Sequence, residues 1–326
     1  GKSTVTANLA LALTELGLNV GVLDADLYGP SLPNMLPAVE PASHEGSWVI
    51  PAQTQGGIKL ISLASFYPTT AAVRAPIANQ LIQRFFHGVD WGNLDLLLVD
   101  FPPGTGDIQL TLLQEGAFSG VVLVATPQKI ACLDVEKTVE LVRAMKVPIF
   151  GVIENMSYFV PPGSQEKLPL FGQGGVELLS LQYGIPLLGS LPIDPKVAKA
   201  ADTGQSIFCE EDVSGYQTEF FNLINLLLEN LEERQNDLMC ELLEEGKGLK
   251  ITWQDGLSKQ YPAHFLQNRC LCQKCQVAQA SASLSEALHI GALKQVGSYG
   301  VKLLFSSGCS MGIYPFELLR SWESVE

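Results

Sequence analysis

Six short apolar runs, each of strand length and nearly unbroken, set the narrowest limit on how this chain folds. They lie at residues 20–24, 58–62, 94–100, 121–126, 149–155 and 187–192. A strand with one face in water alternates apolar and polar residues, whereas a continuous run marks a parallel strand covered on both faces. Amphipathic helices fit between the runs, at 3–16, 77–86, 107–117, 133–145 and 176–183. Right-handed crossovers through those helices predict an α/β, doubly wound and mostly parallel sheet.

Composition agrees with a large buried core, since 47 % of the 326 residues are hydrophobic and only 17 % charged. No uninterrupted apolar run reaches the roughly 18–20 residues of a membrane-spanning helix, so no membrane insertion is expected. A net charge of −14 argues against nucleic acid as a partner, which would require a positive footprint. Seven cysteines are present, four of them late and unevenly spaced. In an α/β chain that distribution fits a reducing compartment and metal ligation better than disulfides.

The texture changes along the chain. Residues 215–245 read as a long closing helix, apolar at Phe220, Ile224, Leu227 and Leu231, and 244–248 reads as a linker. Two domains are therefore predicted, 1–245 and a small α+β one at 249–326. The small domain carries an internal echo. Trp253-x-x-Gly256-x-Ser258, then Tyr261-Pro262 and Leu266, is repeated as Phe305-x-x-Gly308-x-Ser310, Tyr314-Pro315 and Leu318, with one extra residue before the second Tyr-Pro. Each copy reads as a β-hairpin running into a short helix with proline in its first turn.

Three stretches of the large domain converge on phosphate chemistry. Gly1-Lys2-Ser3-Thr4 opens a helix, whose unpaired N–H groups and positive dipole end bind phosphate readily. There Gly1 lets backbone approach, Lys2 can reach the β- and γ-phosphates, and the Ser3 hydroxyl can ligate Mg²⁺. The motif is the second half of a phosphate-binding loop, so a longer protein with the glycine-rich first half upstream is expected. Asp24-Ala25-Asp26 follows the first run, at the strand end where open α/β sheets bind ligands. The run 94–100 ends in Asp100 and enters Phe101-Pro102-Pro103-Gly104-Thr105-Gly106-Asp107. A buried strand delivering one carboxylate to a metal's outer shell, then a glycine-rich loop, is a Walker B arrangement. The three together predict an ATPase that binds ATP with Mg²⁺.

Four cysteines make a second candidate site. Cys270-x-Cys272-x-x-Cys275 is joined, much later, by Cys309. A closely spaced set on a turn plus a distant partner from another hairpin can converge tetrahedrally on one metal. Zn²⁺ is the first choice, and four thiolates also suit an iron–sulfur cluster. His264 and His289 are weaker candidates.

At these motifs the chain resembles the Mrp/ApbC ATPases, iron–sulfur carriers of the SIMIBI class of P-loop proteins. The resemblance runs from Gly1 to about Val197. It is carried by Asp24-Ala25-Asp26-Leu27-Tyr28-Gly29-Pro30-Ser31, Arg74-Ala75-Pro76, Asp100 to Asp107, Thr126-Pro127-Gln128, Leu133-Asp134-Val135, Gly151 to Ser157, and Phe171-Gly172-Gln173-Gly174-Gly175. It implies that Lys2, Ser3 and Thr4 hold phosphates and Mg²⁺, that Asp24 or Asp26 orients the attacking water, and that Asp100 supports the metal. Asn155 would read the adenine edge, with Pro192 and Asp194 nearby. It further implies a homodimer that delivers [4Fe–4S] clusters to iron–sulfur acceptor proteins. Many members place a Cys-x-x-Cys pair after the Asn-Met-Ser stretch to bridge a shared cluster. Here Tyr158-Phe159-Val160-Pro161-Pro162-Gly163-Ser164 has no cysteine, so that mode of holding a cluster is not supported.

The tail resembles the small domain at the N-terminus of γ-butyrobetaine hydroxylase, through Trp253-x-Asp255-Gly256, the three clustered cysteines, and Gly308 to Leu319. Cys309 stands where that domain has a histidine ligand. ATPase and tail together look like the chloroplast high-chlorophyll-fluorescence type of Mrp protein, which implies a chloroplast stromal location. A cytoplasmic relative would read the same. An adaptor or positioning ATPase with a zinc-stapled tail and no cluster is the alternative function.

Overall fold

A computed structural model of the protein describes the chain apart from residues 27–28, 47, 67–80, 87, 105, 117, 210, 213, 236–237, 254, 271–287, 297–299, 310–312 and 323–326. It forms two compact units, residues 1–116 with 120–227, and 117–119 with 228–326.

The first unit opens on helix α1 (Lys2–Glu15), which runs into strand β1 (Val20–Asp24). After α2 (Leu32–Met35) come four three-residue strands, β2 (Ala38–Glu40), β3 (Ser43–Glu45), β4 (Trp48–Ile50) and β5 (Ala52–Thr54), then β6 (Lys59–Ser62). Residues 81–86 are helical (α3). Alternation then resumes with β7 (Leu96–Asp100), α4 (Asp107–Glu115), β8 (Val121–Ala125), α5 (Lys129–Ala144), β9 (Ile149–Glu154), α6 (Gly175–Tyr183), β10 (Leu187–Ser190), α7 (Pro195–Thr203) and α8 (Tyr216–Gln235), whose residues from 228 on count with the second unit. The six apolar runs are thus the six parallel strands, though the hydrogen bonds divide them into two groups, β6-β1-β7 and β10-β9-β8.

Antiparallel β5 and β2 extend the first group, and β3 pairs with β4 alone. The sequence pattern missed these four strands because they are too short for a periodicity and mostly lie at the surface. Every residue of β1 is buried, as a strand covered on both faces should be. Gly151 in β9 shows how closely neighbours approach. A Cβ there would fall 2.5 Å from Leu188 Cγ and 2.7 Å from the Pro186 carbonyl oxygen. Around β8 and β9, Leu123, Cys132, Val139, Val152, Val176 and Leu179 form one apolar core.

The second unit consists of two three-stranded antiparallel sheets, each followed by a short helix. The first is β11 (Leu238–Leu242), β12 (Gly248–Trp253) and β13 (Ser258–Pro262) with α9 (Ala263–Gln267). The second is β14 (Ile290–Val296), β15 (Gly300–Phe305) and β16 (Ile313–Pro315) with α10 (Phe316–Ser321). Both share one core that includes Leu249, Ile251, Tyr261, Val301, Leu303 and Tyr314.

Three expectations are corrected here. The closing helix stops at Gln235, and 238–242 forms β11, because pairing with Leu249–Trp253 overrides a composition that otherwise favours helix. Residues Glu244–Gly246 are the tight turn between β11 and β12, with Glu245 at φ 56° and Gly246 at φ 71°, and not a linker. The two repeat prolines sit at the N-caps of α9 and α10, one position before the first turn.

Candidate nucleotide and metal sites

The carboxyl ends of β6, β1 and β7 bring three polar side chains into one row. Parallel pairing sets Asp24 opposite Ser62 on one side and opposite Asp100 on the other. The Ala25 N–H donates to the Asp100 carbonyl at 3.0 Å, carrying the ladder past the end of β1. Asp24 is 1 % exposed and Asp100 3 %. Burying two carboxylates this deeply is costly unless a proton, a donor or a cation compensates.

Donors reach Asp100 from α1. The Thr6 hydroxyl donates to its Oδ1 at 3.0 Å. Burial pushes the Asp100 carboxyl up, against the pull of the Ser3 and Thr6 hydroxyls and the Lys2 charge. The sequence reading missed Thr6, although Ser3 and Thr6 are three residues apart and share a helix face. Asp24 draws on backbone donors, the N–H groups of Asp26 and Leu32. Its Oδ1 accepts the Asp26 N–H at 3.1 Å, and Ser62 Oγ lies 3.5 Å from its Oδ2. Burial raises its pKa to about 7; the Asp26 and Leu32 N–H groups oppose that rise, and the charges of Asp100 and Asp26 add to it. A buried pair of carboxylates with raised affinity for positive charge is the donor set a divalent cation needs.

The α1 N-terminus completes the pocket. Gly1 is the N-cap and no side chain caps the first turn, so its backbone N–H groups are open to an anion. Lys2 is exposed, and Ser3 and Thr4 are half-buried in that turn. Asn155, just past β9, points its Nδ2 at the Gly1 carbonyl oxygen at 3.5 Å. Lys2, Ser3, Asp24, Asp100 and Asn155 are thereby gathered around the start of α1.

Other expected residues have other partners. Asp26 Oδ1 accepts the Gly29 N–H at 3.1 Å and closes the turn after β1. Asp194 caps α7, taking the Lys196 N–H at 2.8 Å on Oδ1 and the Ser214 hydroxyl at 2.6 Å on Oδ2. Pro192 is buried just ahead of it. After β7, Gly104 takes φ 88° and the buried Gln109 donates to the Pro102 carbonyl at 2.6 Å, pinning the loop to α4. Tyr28, the Arg74-Ala75-Pro76 stretch and Thr105 lie outside the described residues.

In the second unit, Cys270 follows α9 and Cys309 follows Gly308 in the turn between β15 and β16. They are 2 % and 7 % exposed, with their sulfurs 3.8 Å apart. A disulfide requires about 2.05 Å. Four thiolates at about 2.3 Å around a tetrahedral metal stand about 3.8 Å from one another, which fits this pair. Cys272 and Cys275 lie outside the described residues, and among the described residues no three metal-ligating side chains converge. His264 and His289 are exposed. Of the remaining cysteines, Cys132 is part of the core around β8 and Cys209 is exposed.

Known proteins resemble both units. Residues 1–228 match the ParA family model described as NUBPL iron-transfer P-loop NTPase, and residues 240–320 match the γ-butyrobetaine hydroxylase-like N-terminal domain. The iron–sulfur cluster carrier protein of Aquifex aeolicus is 41 % identical over 241 residues, 72 % of this chain and 66 % of its own length. That of Methanococcus maripaludis is 39 % identical over 239 residues, 72 % of this chain and 82 % of its own. Among solved structures, a nucleotide-binding protein from Archaeoglobus fulgidus in complex with ADP superposes with a TM-score of 0.58 at 36 % identity, covering 68 % of this chain and 85 % of that one. The cell division ATPase MinD of Pyrococcus furiosus shares the fold, with a TM-score of 0.52 at 20 % identity over 70 % of this chain and 93 % of its own. With the family model matching residues 1–228 and relatives about 40 % identical, the chain belongs to the ParA-type NUBPL iron-transfer P-loop NTPase family.

Proposed function

We propose that the protein hydrolyses ATP with Mg²⁺ and uses the nucleotide cycle to carry iron–sulfur clusters, delivering [4Fe–4S] clusters to acceptor proteins. The observation that carries the ATPase part is the register of Asp24 beside Asp100, under a helix N-terminus whose Ser3 and Thr6 hydroxyls both bond Asp100. In this reading the α1 N–H groups, Lys2 and Thr4 hold the phosphates. Ser3 and Asp100 hold Mg²⁺, directly and through its water shell, and Asp24 or Asp26 orients the attacking water. Asn155 faces the base. Turnover is slow in this reading, because among the described residues no arginine in the loops after β1 and β7 supplies a finger in cis. The carrier part is supported by the relatives' names and the family, and it includes a homodimer whose geometry follows nucleotide state.

A second reading has its own support. Residues 158–164 contain no cysteine, while Cys270 and Cys309 meet in the second unit at a spacing suited to zinc. That combination favours a nucleotide-switched adaptor with a zinc-stapled tail. Anaerobic reconstitution of the full-length protein, followed by iron, sulfide and zinc analysis and by transfer to an apo-acceptor, separates the two. The carrier reading expects matched iron and sulfide that leave with the acceptor. Normal ATP binding with stoichiometric zinc and no iron in any preparation would replace it with the adaptor reading.

A further inference from the structure

One buried carboxylate of the first unit has no part in the chemistry above. Glu154 ends β9, is 7 % exposed, and precedes Asn155. Its Oε2 accepts two hydroxyls, those of Ser157 and of Ser190, the latter at 3.2 Å. Its Oε1 is buried with no hydrogen-bond partner among the described residues. A carboxylate placed like this stabilises the fold poorly, since half of its acceptor capacity is desolvated without return. What it does well is hold hydroxyls, because bonds to an ionised acceptor are about twice as strong as neutral ones.

The hydroxyls it holds belong to a turn that needs holding. Met156 stands between Asn155 and Ser157 at φ 59°, a left-handed conformation that a side chain other than glycine adopts at a cost. Its N–H donates to Asn155 Oδ1 at 3.0 Å, which fixes the amide with Nδ2 turned toward the Gly1 carbonyl oxygen. Backbone bonds clamp the flanks. The Asn155 N–H donates to the Ala125 carbonyl at 2.7 Å, the Leu191 N–H to the Glu154 carbonyl at 2.8 Å, and the Ser157 N–H to the Leu191 carbonyl at 2.9 Å. The side-chain tie across the turn itself runs from Glu154 to Ser157, and Ser190, its register partner on β10, anchors the same oxygen to the sheet. Cys132 is the other reactive group close by. Burial first, and the Glu154 charge second, push its thiol up.

We infer that Glu154 is a positioning residue for nucleotide-base recognition, holding the strained 155–157 turn through the Ser157 hydroxyl so that Asn155 meets the base in one fixed orientation. This rests on the reading that Asn155 faces the base. The test is the ratio of Mg·ATP to Mg·GTP dissociation constants in the full-length protein, for wild type, Asn155→Ala, Glu154→Gln, Ser157→Ala and Ser157→Thr. Expected is loss of the ATP preference in Asn155→Ala. Glu154→Gln and Ser157→Ala should each reduce that preference by about 5–10-fold through weaker ATP binding, the scale of one well-made hydrogen bond. Ser157→Thr, which keeps the hydroxyl, should retain it. A merely structural Glu154 would lower the melting temperature and leave the ratio alone. If Asn155→Ala loses the preference while Ser157→Ala and Glu154→Gln keep it, the positioning role is overturned. If Asn155→Ala itself keeps the wild-type ratio, the base-recognition reading has failed first. Ser157→Ala deletes a single oxygen, so the comparison survives even if Glu154→Gln does not fold.

Discussion

Tyr261 and Tyr314 make the same hydrogen bond in opposite directions. The Tyr261 hydroxyl donates to the Leu319 carbonyl on α10, and the Tyr314 hydroxyl donates to the Leu266 carbonyl on α9. The step from Tyr261 to Tyr314 equals the step from Leu266 to Leu319, so the structural counterpart of Leu266 is Leu319, one place beyond the Leu318 suggested by the sequence. A second reciprocal pair follows the same rule. Gln267 at the end of α9 bonds Ser307 in the β15–β16 turn, and Arg320 in α10 bonds Asp255 in the β12–β13 turn. Each half closes over the other, so neither sheet-and-helix unit is complete alone.

That reciprocity predicts matched energetics. Tyr261→Phe and Tyr314→Phe should each destabilise the second unit by about 0.5–1.5 kcal/mol, the net worth of one hydrogen bond, because the Leu319 and Leu266 carbonyls each keep a backbone N–H donor, from Trp322 and Arg269. Denaturant unfolding of the full chain measures both. One variant losing that much while the other loses nothing would mean that the two halves are alike in outline only.

The cysteine pair breaks the symmetry of the repeat, and its consequence is chemical. Cys309 directly follows Gly308 and faces Cys270 across the halves. Cys309→Ser should lower bound metal per chain below one equivalent and bring the unfolding midpoint down. A structural zinc site supplies on the order of 10–16 kcal/mol to its domain, and losing one thiolate forfeits part of it. Metal analysis with thermal unfolding, with and without a chelator, reads this out. Full metal content in the variant would remove Cys309 from the ligand set.

The carboxylate on β7 gives the sharpest kinetic prediction. Asp100→Ala should reduce ATP hydrolysis by at least ~100-fold in the full-length protein, the scale on which preorganised electrostatic groups act. Thr6→Val should cost less, roughly tenfold, since it removes only one of the hydroxyls that hold Asp100 in its charged form. Near-normal turnover of Asp100→Ala would refute the Walker B assignment.

How much of this was legible beforehand follows from what each feature depends on. Continuous apolar runs found all six parallel strands, although only some, such as β1, are buried throughout, while β7 and β8 are mostly half-buried. Asp24 and Asp100 were found because a carboxylate ending such a run has few structural uses. Strand β11 was hidden, since Leu-Met-Cys-Glu-Leu has no helix breaker and becomes a strand only through its pairing with β12. Thr6, Ser62 and Glu154 were hidden for another reason. Ser and Thr hydroxyls are common at helix starts and strand ends, and only contacts between residues distant in the chain reveal which carboxylate they serve. Asp194 was named from the resemblance alone, and its Oδ1 caps α7 while its Oδ2 accepts the Ser214 hydroxyl.

The proton on Asp24 yields the last prediction. Its carboxyl has an ordinary value of 3.8 and is raised to about 7 in the folded protein, with burial as the leading cause. Between those values the native state holds more protons than the unfolded one, so the slope of stability with pH is negative. The contribution of Asp24 to the nucleotide-free protein is therefore full below about pH 4 and lost as pH rises through 7. A bound divalent cation reverses the preference, favouring the carboxylate. Binding Mg·ATP below pH 7 must then release a proton, and affinity should fall about tenfold from pH 8 to pH 6. Asp24→Asn should bind with a flatter pH profile, and measuring both proteins with the same nucleotide cancels the titration of the phosphates themselves. Titration calorimetry in buffers of different ionisation enthalpy counts the released proton directly. Identical pH slopes and equal proton release in the two proteins would show that Asp24 does not meet the cation, and its row with Ser62 and Asp100 would then be a feature of the fold alone.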